Sequence, residues 1–212
     1  MKKHIRNILV ALMTLSLILL AGCGGESSEQ TEAPETSQPE AAQTADPIGI
    51  HHAEIEIEGY GTVSVELDGD TAPITVQNFM DLASTGFYDG LTFHRIIDGF
   101  MIQGGDPNGD GTGGSGKNIP GEFEANGYTN NIAHTKGVIS MARAQDPDSA
   151  SSQFFIMVED APHLDGQYAA FGHVTDGQDV VDKVAADAVP LDDNGTMAPE
   201  DQPVIKSIKI ID

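Results

Sequence analysis

The chain alternates apolar and polar side chains along two neighbouring stretches that begin soon after residue 50. The apolar members of this alternation are Ile55, Ile57, Val63, Val65 and Leu67. Gly59 and Gly61 lie between the two stretches, and glycine is favoured where a chain reverses. Because a period of two is typical of half-buried strands, the pattern predicts a β-hairpin within residues 53–67.

The spacing of apolar residues then changes to three and four, which is typical of a helix. The residues with this spacing are Val76, Phe79, Met80 and Ala83. Thr71 and Pro73 are suited to start the helix, and Gly86 is suited to end it. A second amphipathic helix is predicted from Gly177 to Ala186. Its apolar side is formed by Val180, Val181 and Val184.

Six further stretches have strand-like composition and are separated by clusters of Gly, Pro, Asn and Asp. They are residues 91–97, 100–103, 137–142, 153–158, 169–174 and 204–211. Strands therefore outnumber helices and do not alternate with them, which argues against a doubly wound sheet. We predict a mainly β fold, a closed or nearly closed antiparallel β-barrel with helices over its ends, since closure removes exposed edge strands.

The N-terminus has the organisation of an export signal. Three basic residues within the first six precede an apolar run from Ile8 to Ala21, which is short for a membrane span but suits a signal peptide. Residues 20–23, which end in Cys23, resemble the lipobox of bacterial lipoproteins. The resemblance implies that residues 1–22 are a lipoprotein signal peptide and that Cys23 is lipidated, which would anchor the protein to a bacterial membrane outside the cytoplasm. An ordinary secretory signal with an incidental cysteine is the alternative.

Residues 24–47 carry six acidic residues and no basic one, and they are rich in Glu, Ser, Thr, Gln, Ala and Pro. Such a segment cannot bury enough apolar surface to fold. We therefore predict that residues 23–47 comprise the lipidated cysteine and a disordered acidic tether. The remaining residues, 48–212, are numerous enough for one domain with a substantial core.

The charge of the chain limits its partners. The full chain has ten basic and 33 acidic residues, and removal of residues 1–22 leaves seven basic residues, which gives a formal charge of −26. This charge excludes nucleic acid as a partner. It also excludes a basic patch for anionic lipid, so attachment to a membrane would depend on acyl chains at Cys23. Cys23 is the only cysteine, so no intramolecular disulfide can form.

The stretch FHRIIDGFMIQGGD, residues 93–106, combines one permanent cation with large apolar side chains and one amide. Arg95 presents a rigid fork of hydrogen-bond donors. Phe100 and Met101 offer aromatic and thioether surface, and Gln103 adds an uncharged donor and acceptor. This mixture suits a groove for an apolar, proline-like peptide segment. The alternative is that Phe100 and Met101 are core residues and Arg95 is a surface cation on a strand.

Other motifs fail at a specific residue. Residues 111–117 have the spacing of a phosphate loop, but Asn118 replaces the Ser or Thr that binds magnesium. Residues 106–111 match the first half of a calcium loop, yet Lys117 stands where a bidentate Glu is needed, so a weak calcium site at 106–110 is only an alternative. The seven histidines form no zinc motif and no nucleophile elbow is present. We therefore expect no metal, no other cofactor and no covalent catalysis.

Six segments, in order along residues 48–212, resemble the signature segments of cyclophilin-type peptidyl-prolyl isomerases. They are FHRIIDGFMIQGGD, GTGG at 111–114, FE at 123–124, GVISMARA at 137–144, SSQFFIMV at 151–158 and LDGQYAAFGHV at 164–174. The resemblance implies a closed eight-stranded antiparallel barrel with two capping α-helices. It also implies an enzyme that accelerates isomerisation of X-Pro bonds. Its partners would be proline-containing segments of unfolded or exported proteins, and we expect it to act as a monomer.

The resemblance also assigns site residues. Arg95, Phe100 and Gln103 would be catalytic. The substrate-binding residues would be Met101, Ala142, Arg143, Phe155, His163, Leu164 and Tyr168. His163 stands where the family usually has tryptophan, and Tyr168 stands where it usually has histidine, which affects ligand preference. A non-catalytic chaperone or scaffold for proline-containing peptides is the alternative class, but Arg95 favours an enzyme because a pure binder would not need the cation.

Overall fold

The computed structural model of the protein describes residues 45–212. This part of the chain contains eight β-strands and two α-helices. The strands are β1 Ile50–Ile57, β2 Gly61–Asp68, β3 Thr92–Ile97, β4 Met101–Asp106, β5 Val138–Met141, β6 Phe154–Met157, β7 Ala170–Asp176 and β8 Ile205–Ile210. The helices are α1 Pro73–Ser84 and α2 Gln178–Asp187. Single turns of 3₁₀-helix lie at Glu124–Asn126, Pro162–Leu164 and Pro199–Asp201.

The predicted signal peptide, the lipidated Cys23 and nearly all of the predicted tether lie outside the described residues. Within residues 45–212, no helix has the length and apolar character needed to cross a membrane. The predicted domain of residues 48–212 is tied to the sheet at its start, because the N–H of Ile48 donates to the carbonyl of Gly69 over 3.1 Å.

The eight strands form one antiparallel sheet in the order β3-β4-β6-β5-β7-β2-β1-β8. β1 and β2 form the predicted hairpin, with Ile57 opposite Gly61 next to the turn. β8 pairs with the other side of β1, so the last strand lies beside the first. The prediction of a mainly β fold with eight antiparallel strands and two helices is confirmed.

The predicted closure of the barrel is not confirmed, because the sheet is an open, curled half-barrel. The edge strands β3 and β8 meet only at one end, where an isolated bridge joins Thr92 and Val204. Further along, the outer edge of β3 pairs with the loop of residues 194–197, in which the carbonyl of Gly195 accepts from the N–H of Ile96 over 2.8 Å. This loop covers the edge of β3, so that edge is not left exposed although the barrel is open.

Both helices lie close to their predicted positions. α1 has Pro73 in its first turn, where the missing N–H costs nothing. The buried carboxylate of Glu122 accepts hydrogen bonds from the N–H groups of Ile74 and Thr75, over 3.1 and 2.7 Å, and so caps this end of the helix from a distant segment. α2 buries one side, formed by Val181, Val184 and Ala185.

Strands β4, β5 and β6 are buried on both faces. Their inward side chains belong to the inner core of the half-barrel and are Ile102, Ile139, Met141, Phe154 and Ile156. A second and smaller group, the outer cluster, consists of Met101, Val138, Phe155, Met157, Ala161, Leu164 and Ala170. Burial on both faces explains why β6 is a continuous apolar run instead of an alternating one. The candidate site lies at the outer cluster.

Candidate functional site

Arg95 of β3 lies at the edge of the outer cluster. Its Nη1 donates to Oε1 of Gln103, its neighbour across the strand pair, over 3.2 Å, and lies 3.8 Å from Sδ of Met101. Its Nε donates to the carbonyl oxygen of Asn194 over 2.8 Å. The side chain is half-buried, and this desolvation lowers the pKa of Arg95 from its usual value. A guanidinium nevertheless stays protonated at neutral pH, so the structure holds a permanent cation beside an apolar surface.

A cavity of about 220 Å³, the apolar cavity, opens beside this guanidinium. It is lined by Arg95, Phe100, Met101, Gln103, Ala142, Arg143, Phe155, Leu164 and Tyr168. These are nine of the ten residues that the sequence assigned to the site. The tenth, His163, does not line the cavity and instead stacks on Phe100, with ring centroids 5.7 Å apart. The structure thus brings the predicted set together and places His163 at its border.

The wall of the apolar cavity includes three closely packed side chains, those of Phe155, Leu164 and Tyr168. Phe155 of β6 is only 5% exposed, and Tyr168 packs edge-on against it with ring centroids 5.9 Å apart. Leu164 lies in the 3₁₀ turn before β7 and is 8% exposed. Apolar side chains of this kind, with the polar groups of Arg95, Gln103 and Arg143 at their border, suit a small apolar ring.

His134, which the sequence analysis did not assign, packs on Phe155 and is itself held by two further side chains. The buried ring of His134 stacks on Phe155, with centroids 6.1 Å apart. Its Nδ1 lies 3.0 Å from Oδ1 of Asp165, and its Nε2 lies 3.0 Å from Oγ of Ser140. Burial lowers the pKa of His134, so the neutral ring donates to Asp165 and accepts from the Ser140 hydroxyl. Because Ser140 is fully buried, this Asp-His-Ser chain supports the wall and is not a nucleophilic site.

A second cavity of about 210 Å³, the polar cavity, adjoins the first and shares Gln103, Ala142 and Arg143 with it. Gln153 links the two, because its Oε1 accepts from Nε2 of Gln103 over 2.9 Å and its Nε2 donates to the carbonyl of Gly113 over 2.8 Å. The sequence analysis did not assign Gln153. The available signal was an amide directly before the buried run of β6.

The apolar cavity is not equipped for covalent catalysis, because no Ser, Cys, His or acidic side chain of the described residues lines it. No group of three or more His, Cys, Asp or Glu side chains within residues 45–212 is arranged to hold a metal ion. In the calcium-like loop 106–110, the buried carboxylate of Asp106 accepts from the N–H groups of Asn108 and Gly111, over 2.8 and 2.5 Å. The apolar cavity therefore offers a cation, an amide and an apolar surface.

A larger cavity of about 580 Å³ lies at the N-terminal end of α1 and has Asp46, Asp70 and Glu122 in its lining. Both carboxylate oxygens of Glu122 already accept hydrogen bonds from α1. Burial raises the pKa of Glu122. None of the ten predicted site residues lines this cavity, so it does not compete for the predicted chemistry.

Known sequences agree with this geometry. A family model described as cyclophilin type peptidyl-prolyl cis-trans isomerase/CLD matches residues 52–210. Peptidyl-prolyl cis-trans isomerase B of Bacillus subtilis (strain 168) is 50% identical over 121 residues, which cover 57% of this chain and 81% of that protein.

Solved structures agree as well. The crystal structure of a Cryptosporidium parvum cyclophilin type peptidyl-prolyl cis-trans isomerase matches with a TM-score of 0.67 and 32% identity, and the match covers 77% of this chain and 98% of that chain. The crystal structure of that isomerase in the presence of the dipeptide Ala-Pro matches with a TM-score of 0.66 and 31% identity, covering 76% and 99%. The likeness thus extends from the sequence to the fold.

Proposed function

Since this chain belongs to the cyclophilin-type peptidyl-prolyl cis-trans isomerase family and catalyses the isomerisation of X-Pro peptide bonds, we propose that the apolar cavity is its active site. The observation that carries this proposal is the position of Arg95, whose guanidinium borders a cavity that is otherwise mostly apolar. Arg95 is the catalytic residue in this account. Phe100 and Gln103 act with it, and the remaining lining residues hold the peptide.

The reaction explains why a cation belongs beside an apolar surface. Rotation about the X-Pro bond is opposed by amide resonance, with a barrier of about 18–20 kcal/mol. In the twisted transition state the prolyl nitrogen regains a lone pair, which the planar ground state lacks. A guanidinium held close to that nitrogen in a partly dehydrated site donates more strongly to the twisted form, and this difference accelerates the reaction.

One hydrogen bond is not sufficient for this catalysis. An acceleration on the order of a hundred-thousandfold requires roughly 7 kcal/mol of differential stabilisation. A hydrogen bond to a charged group supplies about 1.5–3 kcal/mol. The rest must come from the cavity, where Phe155, Leu164 and Tyr168 hold the proline ring while the acyl side of the bond rotates.

The polar border of the cavity aligns the peptide in this proposal. Gln103 binds the substrate backbone, and Ala142 and the main chain of Arg143 lie along the peptide. Three hydrogen bonds support these roles. Gln103 is fixed between Arg95 and Gln153, over 3.2 and 2.9 Å, and the N–H of Ala142 donates to the carbonyl of Gln153 over 2.9 Å. A fixed border lowers the entropy that is lost when the peptide binds.

A titration with the dipeptide Ala-Pro tests where the substrate binds. Side-chain NMR signals of Met101, Leu164 and Tyr168 in the apolar cavity should shift in a saturable way. Signals of Thr71 and Tyr128, which line the larger cavity at α1, serve as the internal control and should stay in place. Shifts confined to the control residues would refute the assignment of the active site.

We further propose that the enzyme acts outside the cytoplasm on exported proteins, as a monomer attached to a bacterial cell membrane. In this proposal residues 1–22 are the lipoprotein signal peptide, Cys23 is lipidated, residues 23–47 are the tether and residues 48–212 are the isomerase domain. The basic start, the apolar run and the single cysteine at its end support the proposal. A flexible tether of this length would have an r.m.s. reach of roughly 25–30 Å.

Metabolic labelling with a radioactive fatty acid tests the anchor. The full-length wild-type protein should incorporate label and sediment with membranes, and the Cys23→Ser variant should do neither. Equal labelling of both proteins would exclude Cys23 as the lipidation site. Gel filtration of the mature protein tests the monomer, and elution at twice the expected mass would refute it.

A further inference from the structure

The guanidinium of the partly buried Arg143 lies over two aromatic rings. Its Cζ lies 4.8 Å from the ring centroid of Tyr168 and 5.0 Å from that of Phe123. Phe123 is 2% exposed and belongs to the inner core, whereas Tyr168 lines the apolar cavity. A guanidinium placed over aromatic faces is attracted to them, and more strongly where water is excluded. Arg143 therefore connects a fixed core ring to a ring of the active site.

Four hydrogen bonds to backbone carbonyls hold the same guanidinium in place. Nε and Nη2 donate to the carbonyl oxygen of Gln167, over 3.1 and 2.9 Å. Nη1 donates to the carbonyl oxygens of Ala144 and Gln145, over 2.9 and 3.3 Å. These carbonyls belong to two different segments, the loop after β5 and the turn before β7. The side chain thus ties together the two segments that border the cavities.

The contacts continue from Tyr168 to the cavity wall. Tyr168 packs edge-on against Phe155, with ring centroids 5.9 Å apart. Phe123, Arg143, Tyr168 and Phe155 therefore form one continuous row from the inner core to the surface that receives the proline ring. Arg143 also lines both the apolar and the polar cavity.

We propose that the side chain of Arg143 is a positioning residue of the isomerase, which holds Tyr168 against Phe155 and fixes the border between the two cavities. This inference rests on the proposed function of the apolar cavity. It differs from the role given to the main chain of Arg143, because it concerns the guanidinium. The guanidinium acts through Tyr168 and not by contact with the reacting bond.

If Arg143 positions Tyr168 in this way, the shape of its head group should matter as well as its charge. Lysine retains the charge but has a single ammonium group, which cannot donate in one plane to three carbonyls while lying over two rings. The Arg143→Lys variant should therefore resemble Arg143→Leu. Because a displaced border weakens the binding of planar and twisted peptide alike, we expect KM to rise about fivefold or more while kcat stays within about twofold.

A double-mutant cycle on the full mature protein tests whether Arg143 acts through Tyr168. Arg143→Leu, Tyr168→Leu and the double variant are compared by isomerase kinetics on a proline-containing tetrapeptide, with thermal melting to verify folding. If Arg143 acts through Tyr168, the double variant should have about the same KM as Tyr168→Leu alone. KM increases that multiply independently would overturn the proposal.

Two controls distinguish the positioning role of Arg143 from the proposed active site on which it depends. Lys183 lies 5.7 Å from the ring centroid of Tyr60 and lines neither cavity. Lys183→Leu therefore removes a cation–aromatic contact, together with the ion pair to Asp187, outside the site and should leave KM unchanged. Full recovery of KM in Arg143→Lys, or a lower melting temperature of Arg143→Leu with unchanged KM, would refute a positioning role. An unchanged kcat in Arg95→Ala would instead refute the proposed active site itself.

Discussion

The inner core and the outer cluster share strands β4, β5, β6 and β7, yet only the outer cluster borders the apolar cavity. In β6, Phe154 is fully buried among the rings of Phe79, Tyr88 and Phe93, with centroid distances of 5.5, 5.6 and 6.1 Å. Its neighbour in sequence, Phe155, lines the apolar cavity. Adjacent residues of one strand therefore belong to two different environments.

This difference separates the residues that stabilise the fold from those of the proposed active site. Side chains alternate between the two faces of a strand, so the stabilising contacts and the ligand contacts fall on alternate residues. An inward side chain contacts protein on all sides and contributes mainly to stability. An outward side chain leaves one side for a ligand and contributes more to binding. The comparison can be tested by changing matched residues of the two regions.

The largest expected difference in stability is between Phe154→Ala and Phe155→Ala. Loss of the Phe154 ring would leave a void in a filled core and should lower the free energy of unfolding by about 3–5 kcal/mol. Loss of the Phe155 ring should cost less, about 1–3 kcal/mol, because the ring already borders a cavity. It should, however, raise KM for a proline-containing peptide. Urea unfolding and isomerase kinetics of both variants measure these effects.

The milder variants Phe154→Leu and Phe155→Leu serve as a second pair if either alanine variant does not fold. Leucine preserves most of the apolar surface, so the order of the effects should be the same. The separation of the two regions would be contradicted by equal losses of stability, or by a KM that changes only in the variant of Phe154.

A smaller effect concerns the buried imidazole behind the outer cluster. Burial lowers the pKa of His134 in the folded protein; Asp165, which faces it, acts in the opposite direction, and His163 adds to the lowering. As the pH falls, the unfolded chain binds this proton first, so the stabilisation is complete above about pH 6.5 and decreases below it. The slope from one such group is at most about 1.4 kcal/mol per pH unit.

Urea unfolding of the wild type and of His134→Gln, at about pH 7.5 and about pH 5, measures this effect. The variant should be less stable at the higher pH and should lose less stability on acidification than the wild type. If both proteins lose the same free energy, His134 is not the group responsible.

The smallest effect is expected for the hydroxyl of Tyr88, the one polar side-chain atom among the rings of Phe79, Tyr88, Phe93 and Phe154. The hydroxyl of Tyr88 donates to the carbonyl of Ser152 over 3.2 Å, and burial raises its pKa, so it stays protonated. Tyr88→Phe should lower the free energy of unfolding by about 0.5–1.5 kcal/mol. Its kcat and KM should equal those of the wild type. A change in either constant would show that the inner core affects catalysis directly.

Much of the fold could be predicted from the sequence, because the spacing of apolar residues indicates strands and helices and the glycines indicate where they end. The family, the enzymatic class and the eight strands with two helices are confirmed. β4 extends to Asp106, beyond the predicted end at Gln103, because two glycines allow close approach of neighbouring backbone. A Cβ at Gly104 would lie 2.8 Å from the carbonyl oxygen of Thr92. Glycine-rich ends of strands are therefore easily mistaken for turns.

The open barrel and the supporting residues could not be predicted, because they depend on contacts between distant segments. The edge of β3 is covered by the loop of residues 194–197, which follows it by about a hundred residues. The same loop supplies Asn194, which binds Arg95. His134 and Gln153 likewise support the site, but His134 lies in a loop and Gln153 directly before β6, and neither segment has a motif that marks the contact. Sequence segments thus identified the cavity lining but not what holds it in place.

The most direct test of the account measures peptide binding and turnover of Arg95→Ala side by side. Lys206→Ala, which removes a surface lysine paired with Glu56, is the control for loss of a positive charge. We predict that Arg95→Ala lowers kcat at least about tenfold while Kd for the peptide changes less than about threefold, because the guanidinium acts mainly on the twisted transition state. An unchanged kcat, or a Kd that rises as much as kcat falls, would contradict the account.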